Sequence, residues 1–175
     1  MKLVKILNEI LPIPEAFDTK QQVDWEGDPN TGFMGKFVGP NKKAYEIHIA
    51  PVDYTQTSEN FDSAAAELFS SESSMQNFLK DTFYDVIFYE VTDDSMTTKV
   101  TGTAGSKSIQ VLSTVGNAIV DKIKEENIEN FFFTAEDDSQ SRKNLYKRLV
   151  PMIADRLNYN QVNDGTYFFV SKNEV

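Results

Sequence analysis

A single histidine, His48, and no cysteine restrict the available chemistry before any fold is considered. Sites needing two histidines, thiolate zinc sites, disulfides and a cysteine nucleophile are excluded. His48 lies in the alternating run from Ala44 to Ile49. That alternation puts Glu46 and His48 on one face of a strand and Tyr45, Ile47 and Ile49 on the other. An imidazole so placed can serve as a general base, or it can simply be solvated there. A second grouping is Gly102-Thr103-Ala104-Gly105, just before a helical pattern that opens at Ser106. Glycines let loop amides approach a phosphate, and a helix N-terminus favours the anion. The same residues also suit a tight strand-to-helix turn. Lys99 and Lys107 are the cations nearest this loop, with Asp93 and Asp94 opposing them. A third grouping is Ser141, Arg142, Tyr146 and Arg148 near the start of a later helix. Arg142 and Tyr146 are one turn apart and share a face. They suit either an anion or acyl donor, or a capped helix whose arginine pairs with Glu136, Asp137 or Asp138. Arg142, Lys143, Lys147, Arg148 and Arg156 form a basic stripe on an acidic chain. Neither Glu136-Asp137-Asp138 nor Asp93-Asp94 has the spacing of a calcium loop, so they read as loop-solvating clusters and no metal is expected.

The elements that must position these residues follow from periodicity. Leu3, Ile6, Leu7 and Ile10 recur at helical spacing, and Pro12 and Pro14 end that short helix. Asn8 and Glu9 interrupt the apolar run, so it does not read as a signal peptide or a membrane span. Residues 20–26 read as a strand and 33–50 as a hairpin turning at Gly39-Pro40-Asn41. The polar stretch 56–80 reads as a surface excursion carrying one short helix over DSAAAELF, capped by Asp62 or Ser63. FYDVIFYEV is a strong strand, and Thr97–Thr101 a second, shorter one. A helix over 106–126 follows, with Ile109, Leu112, Ile119 and Ile123 inward. Phe131-Phe132-Phe133 is a strand buried on both faces. The next helix begins at Ser139, with Leu145, Leu149, Ile153 and Leu157 inward and Pro151 inside it, and Tyr167–Ser171 closes the chain as a strand. This order predicts one domain over 1–175: a mixed α/β (α+β) fold whose largely antiparallel central sheet is flanked by helices.

Within 86–159, a strand, a Gly-containing loop, helix, strand and helix resemble the core of the GNAT family of N-acetyltransferases. That family's phosphate loop reads Gln or Arg, two residues, Gly, one residue, Gly or Ala. Here Lys99-Val100-Thr101-Gly102-Thr103-Ala104 has that spacing, with lysine at its head. The family's Leu-Tyr pair on the later helix is matched by Leu145-Tyr146. The resemblance implies a GNAT-like core over 82–175. For an acetyltransferase it further implies acetyl-CoA held by Lys99, Gly102, Thr103, Ala104, Gly105 and Arg142. Tyr146 would be the acid and Glu90 the base, in a V-shaped gap between the strands at 97–101 and 130–134. A gap filled by Phe132 or Phe133 would argue the other way. The chain also resembles small proteins of tailed bacteriophages. The shared residues are Thr101, Gly102, Val111, Ser113, Thr114, Val115, Phe133, Ala135, Ser141, Arg142, Leu145, Tyr146 and Arg148. This second resemblance implies a phage origin, in a virion or the host cytoplasm.

Charge limits the partners. The 175 residues carry a formal charge of −10, which repels nucleic acid. The 13 phenylalanines and seven tyrosines supply a core and leave aromatic surface for protein contact. The leading expectation is a non-catalytic, GNAT-like phage protein without a cofactor, which contacts phage structural proteins or copies of itself, and neither nucleic acid nor membrane. An acetyl-CoA-dependent N-acetyltransferase is the alternative. An inhibitor of a host defence system, its acidity mimicking nucleic acid, is the third.

Overall fold

The structure is a computed structural model that describes residues 21–40, 42–80, 82–92, 95–97, 106–135 and 140–175. Three strands come first: β1 (Asp24–Asp28), β2 (Gly32–Val38) and β3 (Ala44–Val52). They pair as an antiparallel meander. At the β1–β2 turn the Asp28 carboxylate accepts from the amides of Asn30 and Thr31. Gly27 is required there: its φ is +105°, and a Cβ would lie 2.0 Å from the carbonyl oxygen of Gly32. Helices α1 (Glu59–Leu68) and α2 (Glu72–Lys80) follow, then β4 (Phe83–Thr92), which pairs with the whole of β3. α1 begins earlier than the sequence suggests. Ser58 caps it by accepting from the Phe61 amide, which brings Phe61 inside the helix. α2 has too few apolar residues to stand out from its polar surroundings.

The remaining elements are β5 (Ser95–Thr97), α3 (Ser106–Glu125), β6 (Asn130–Thr134), α4 (Gln140–Leu157), β7 (Asn160–Asn163) and β8 (Tyr167–Ser171). The sheet runs β1-β2-β3-β4-β6-β8-β7, with β5 added beside β4. β4 and β6 run parallel and every other pair is antiparallel. A mixed, mostly antiparallel sheet with helices is therefore the fold. A parallel neighbour requires a crossover, and α3 lies in that connection. α3 and α4 end alike, on Asn127 (φ 53°) and Asn158 (φ 58°). The next amides, Ile128 and Tyr159, bond back to the carbonyls of Ile123 and Ala154. This left-handed cap satisfies the last turn and aims the chain into the following strand.

Two cores sit on opposite faces of the sheet. Under α3 and α4, the row Val111, Val115, Ile119 and Ile123 meets Tyr146, Leu149, Ile153 and the inward side chains Ile47, Ile49, Val86, Phe88, Phe131 and Phe133. The buried row of α3 is thus offset from the predicted one, with Leu112 only partly buried against it. On the other face, α1 and α2 cover Phe83, Phe132 and Phe169 with Phe61, Phe69 and Phe78. Phe61 meets Phe132 and Phe169 edge-on, at centroid distances of 4.9 and 5.2 Å. Such pairs add ~0.5–1.5 kcal/mol each beyond area burial. The 56–80 stretch therefore carries the lid of a second, aromatic core.

Candidate functional site

The neighbourhood of β4 holds the residues that matter. β6 pairs with β4 only at Tyr84↔Phe131 and Asp85↔Phe132. β5 takes the same edge of β4 further on, at Glu90, Val91 and Thr92. Among the described residues, 86–89 of β4 thus have no strand partner on that edge. Among the described residues the strand beside β6 on this side is β4; residues 98–101, one wall of the expected gap, lie outside them. β5 runs antiparallel along the end of β4, with Thr92 opposite Ser95; of the strand expected over Thr97–Thr101, only Thr97 lies among the described residues.

Tyr146 lies beneath the divergence. α4 presents its ring to Phe133, Phe168 and Phe88, at 5.3, 5.8 and 6.1 Å between centroids. It is 1% exposed. Burial pushes its phenol well above the ordinary tyrosine value; the Arg142 charge opposes this and the Asp85 charge adds to it. Arg142 and Tyr146 do share a side of α4, as their spacing suggests. Phe133 and Phe88 occupy the α4 side of the divergence, whereas Phe132 faces the aromatic core under α1 and α2.

Glu90 is buried on the same face as Phe88, and Lys43 Nζ lies 2.6 Å from its Oε1. That contact raises the Lys43 ammonium above its ordinary value: the hydrogen bond to Glu90 is the largest cause, desolvation opposes it, and the Glu90 charge adds to it. An ammonium this close occupies a lone pair that a general base would use. On the basic stripe, Arg156 donates to the side-chain oxygen of Asn117 and so ties α4 to α3. Lys99, Gly102, Thr103, Ala104 and Gly105 lie outside the described residues, as do the N-terminal helix, Ser139 and both acidic clusters.

On the opposite face of β3 and β4, the structure assembles a cluster that the sequence shows only in part. Glu46 pairs in register with Tyr89. The Tyr89 hydroxyl is 2.8 Å from Glu46 Oε2 and 2.6 Å from His48 Nε2. His48 Nε2 and Glu46 Oε2 are 3.2 Å apart. Tyr89 is 4% exposed, whereas the His48 side chain is 32% exposed and that of Glu46 17%. Burial pushes the Glu46 carboxyl up. The hydrogen bonds from Tyr89 and His48 and the charges of His48 and Lys36 outweigh it, leaving the group below its ordinary value. Burial, then the bond to Glu46 and its charge, drive the Tyr89 phenol far above the ordinary value. Strand alternation reveals the Glu46 and His48 pair. Tyr89 sits far away in sequence, and only the β3–β4 register brings it in.

Among the described residues no helix is long and apolar enough to cross a membrane. No group of three or more histidine, aspartate or glutamate side chains is placed to share a metal ion there. Compared with protein-family models and with curated protein sequences, the chain matches none.

Proposed function

We propose that this chain is a non-catalytic, GNAT-like protein of bacteriophage origin, acting through protein–protein contact in the virion or the host cytoplasm. The observation that carries this reading is the packing of Tyr146. An acid for a leaving thiolate must bring its hydroxyl to the sulfur. The Tyr146 ring is instead enclosed by Phe88, Phe133 and Phe168 as a core residue. The Lys43 contact on Glu90 supports the same reading.

The alternative, an acetyl-CoA-dependent N-acetyltransferase, is favoured by one feature, the edge of β4 at 86–89. Backbone amides on that edge, which no described strand pairs, would polarise a thioester carbonyl. Calorimetric titration of the full chain with acetyl-CoA and with CoA separates the two. No heat at high ligand, with the protein folded, is the expected result. Micromolar binding that Gly102→Val weakens would overturn the scaffold reading in favour of the acetyltransferase and call for a screen of acetyl acceptors.

A further inference from the structure

We propose that Glu46, His48 and Tyr89 form a binding site for a divalent transition-metal ion such as zinc or copper(II). One nitrogen and two oxygen donors converge, each within 3.2 Å of the other two. Tetrahedral bonds of ~2.0 Å place donors about 3.3 Å apart; the His48–Glu46 separation of 3.2 Å already matches, and the Tyr89 hydroxyl must draw back by up to about 0.7 Å from the other two to admit an ion. Glu46 and His48 lie two apart on one strand face, and Tyr89 lies on the neighbouring strand, in register with Glu46. The three donors therefore rest on rigid sheet backbone, which favours a fixed coordination geometry. Imidazole with oxygen ligands suits zinc and copper(II).

Access and charge fit as well. The His48 side chain is 32% exposed, so an ion can enter from solvent. By strand alternation and register, Asp24, Glu26 and Asp85 share this face. Lys36, the cation beside Glu46, is shared with Glu26, which lies 3.4 Å from its ammonium. The negative field of a chain at −10 raises the local concentration of a dication. The proton balance is simple. Glu46 binds as a carboxylate, and His48 binds through Nε2 as a neutral imidazole, the Nε2 proton that bonds Glu46 in the metal-free protein moving to Nδ1 by exchange with water. Tyr89 exchanges its O–H bond for an O–metal bond and gives one proton to the buffer. No electron is transferred.

The test is titration of the full chain with zinc chloride at neutral pH, read by calorimetry, by the proton resonances of the histidine ring and by near-ultraviolet absorption. His48 is the only histidine, so the ring signals need no assignment. The expected result has three parts. One zinc binds per chain, the His48 ring resonances shift, and a phenolate band appears where the free phenol is still protonated. Release of about one proton, seen by comparing buffers of different ionisation heat, accompanies it. His48→Ala should abolish the binding, and Tyr89→Phe should weaken it ~10–100-fold without the phenolate band. His48 is at the surface, so its variant keeps both cores intact. Ring resonances that stay put at millimolar zinc, or an affinity unchanged in His48→Ala, would overturn the proposal.

Discussion

Tyr146 and Tyr89 are both buried tyrosines whose phenols are held protonated, yet they sit on opposite faces of the same sheet in contrasting surroundings. Three phenylalanine rings enclose Tyr146. Tyr89 bridges a carboxylate and an imidazole. The first is raised chiefly by desolvation. The second is raised by desolvation together with a hydrogen bond that its proton makes and its anion would lose. The comparison teaches that a motif can mark a residue that the fold packs into its core. Meanwhile the polar chemistry collects on the opposite face, around a residue that no motif marks.

The strongest way to break this comparison is to remove the Tyr146 ring. Tyr146→Ala should cost ~3–5 kcal/mol in a denaturant melt, the range for a large aromatic deleted from a packed core. A loss below about 1 kcal/mol would mean that the ring is not holding α4 to the sheet. Deleting only a hydroxyl sharpens the contrast. Tyr89→Phe removes the group that both Glu46 and His48 contact, and about 1–2 kcal/mol should be lost. Tyr146→Phe keeps the ring contacts and should cost less than Tyr89→Phe. The reverse order would show that Tyr146, not Tyr89, carries the polar role.

How much of this was legible in the sequence differs between the two faces. The strands from Gly32 to Val52 and from Phe83 to Thr92 have β-branched and aromatic alternation that reads directly, and so does the long helix over Ser106–Glu125. The shared face of Glu46 and His48 is also legible, because two-residue periodicity fixes it. Tyr89 is not, since its place depends on register with a strand some forty residues earlier, set by the whole β3–β4 ladder. The aromatic core under α1 and α2 was hidden for another reason. Phe61, Phe69 and Phe78 are spread through a Ser- and Glu-rich stretch, and each buries itself only because Phe83, Phe132 and Phe169 already project from that side of the sheet. β7 was missed because NQVN has one apolar residue; pairing with β8 makes it a strand.

The smallest expected effect tests the electrostatic half of the comparison. The Glu46 carboxyl has a folded-state value below the ordinary glutamate value of 4.5. A group depressed on folding contributes stability that is present above its unfolded value and lost as pH falls through the folded one. Glu46→Gln removes that contribution while leaving an oxygen that can still accept from Tyr89. The variant should therefore be less stable than the parent by under about 1 kcal/mol at pH 6–8. The difference should then shrink as pH drops below about 4.5, where the parent loses the same charge. Dilute samples are needed, because the isoelectric point of 4.6 falls inside the window. Tyr89→Phe combined with Glu46→Gln should cost less than the sum of the two single changes, since both weaken the Tyr89–Glu46 bond, one by removing its donor and the other by removing the acceptor's charge. If the two losses add instead, and the Glu46→Gln difference is flat down to pH 3, the Glu46–His48–Tyr89 contacts do not form in solution and the two tyrosines differ only in exposure.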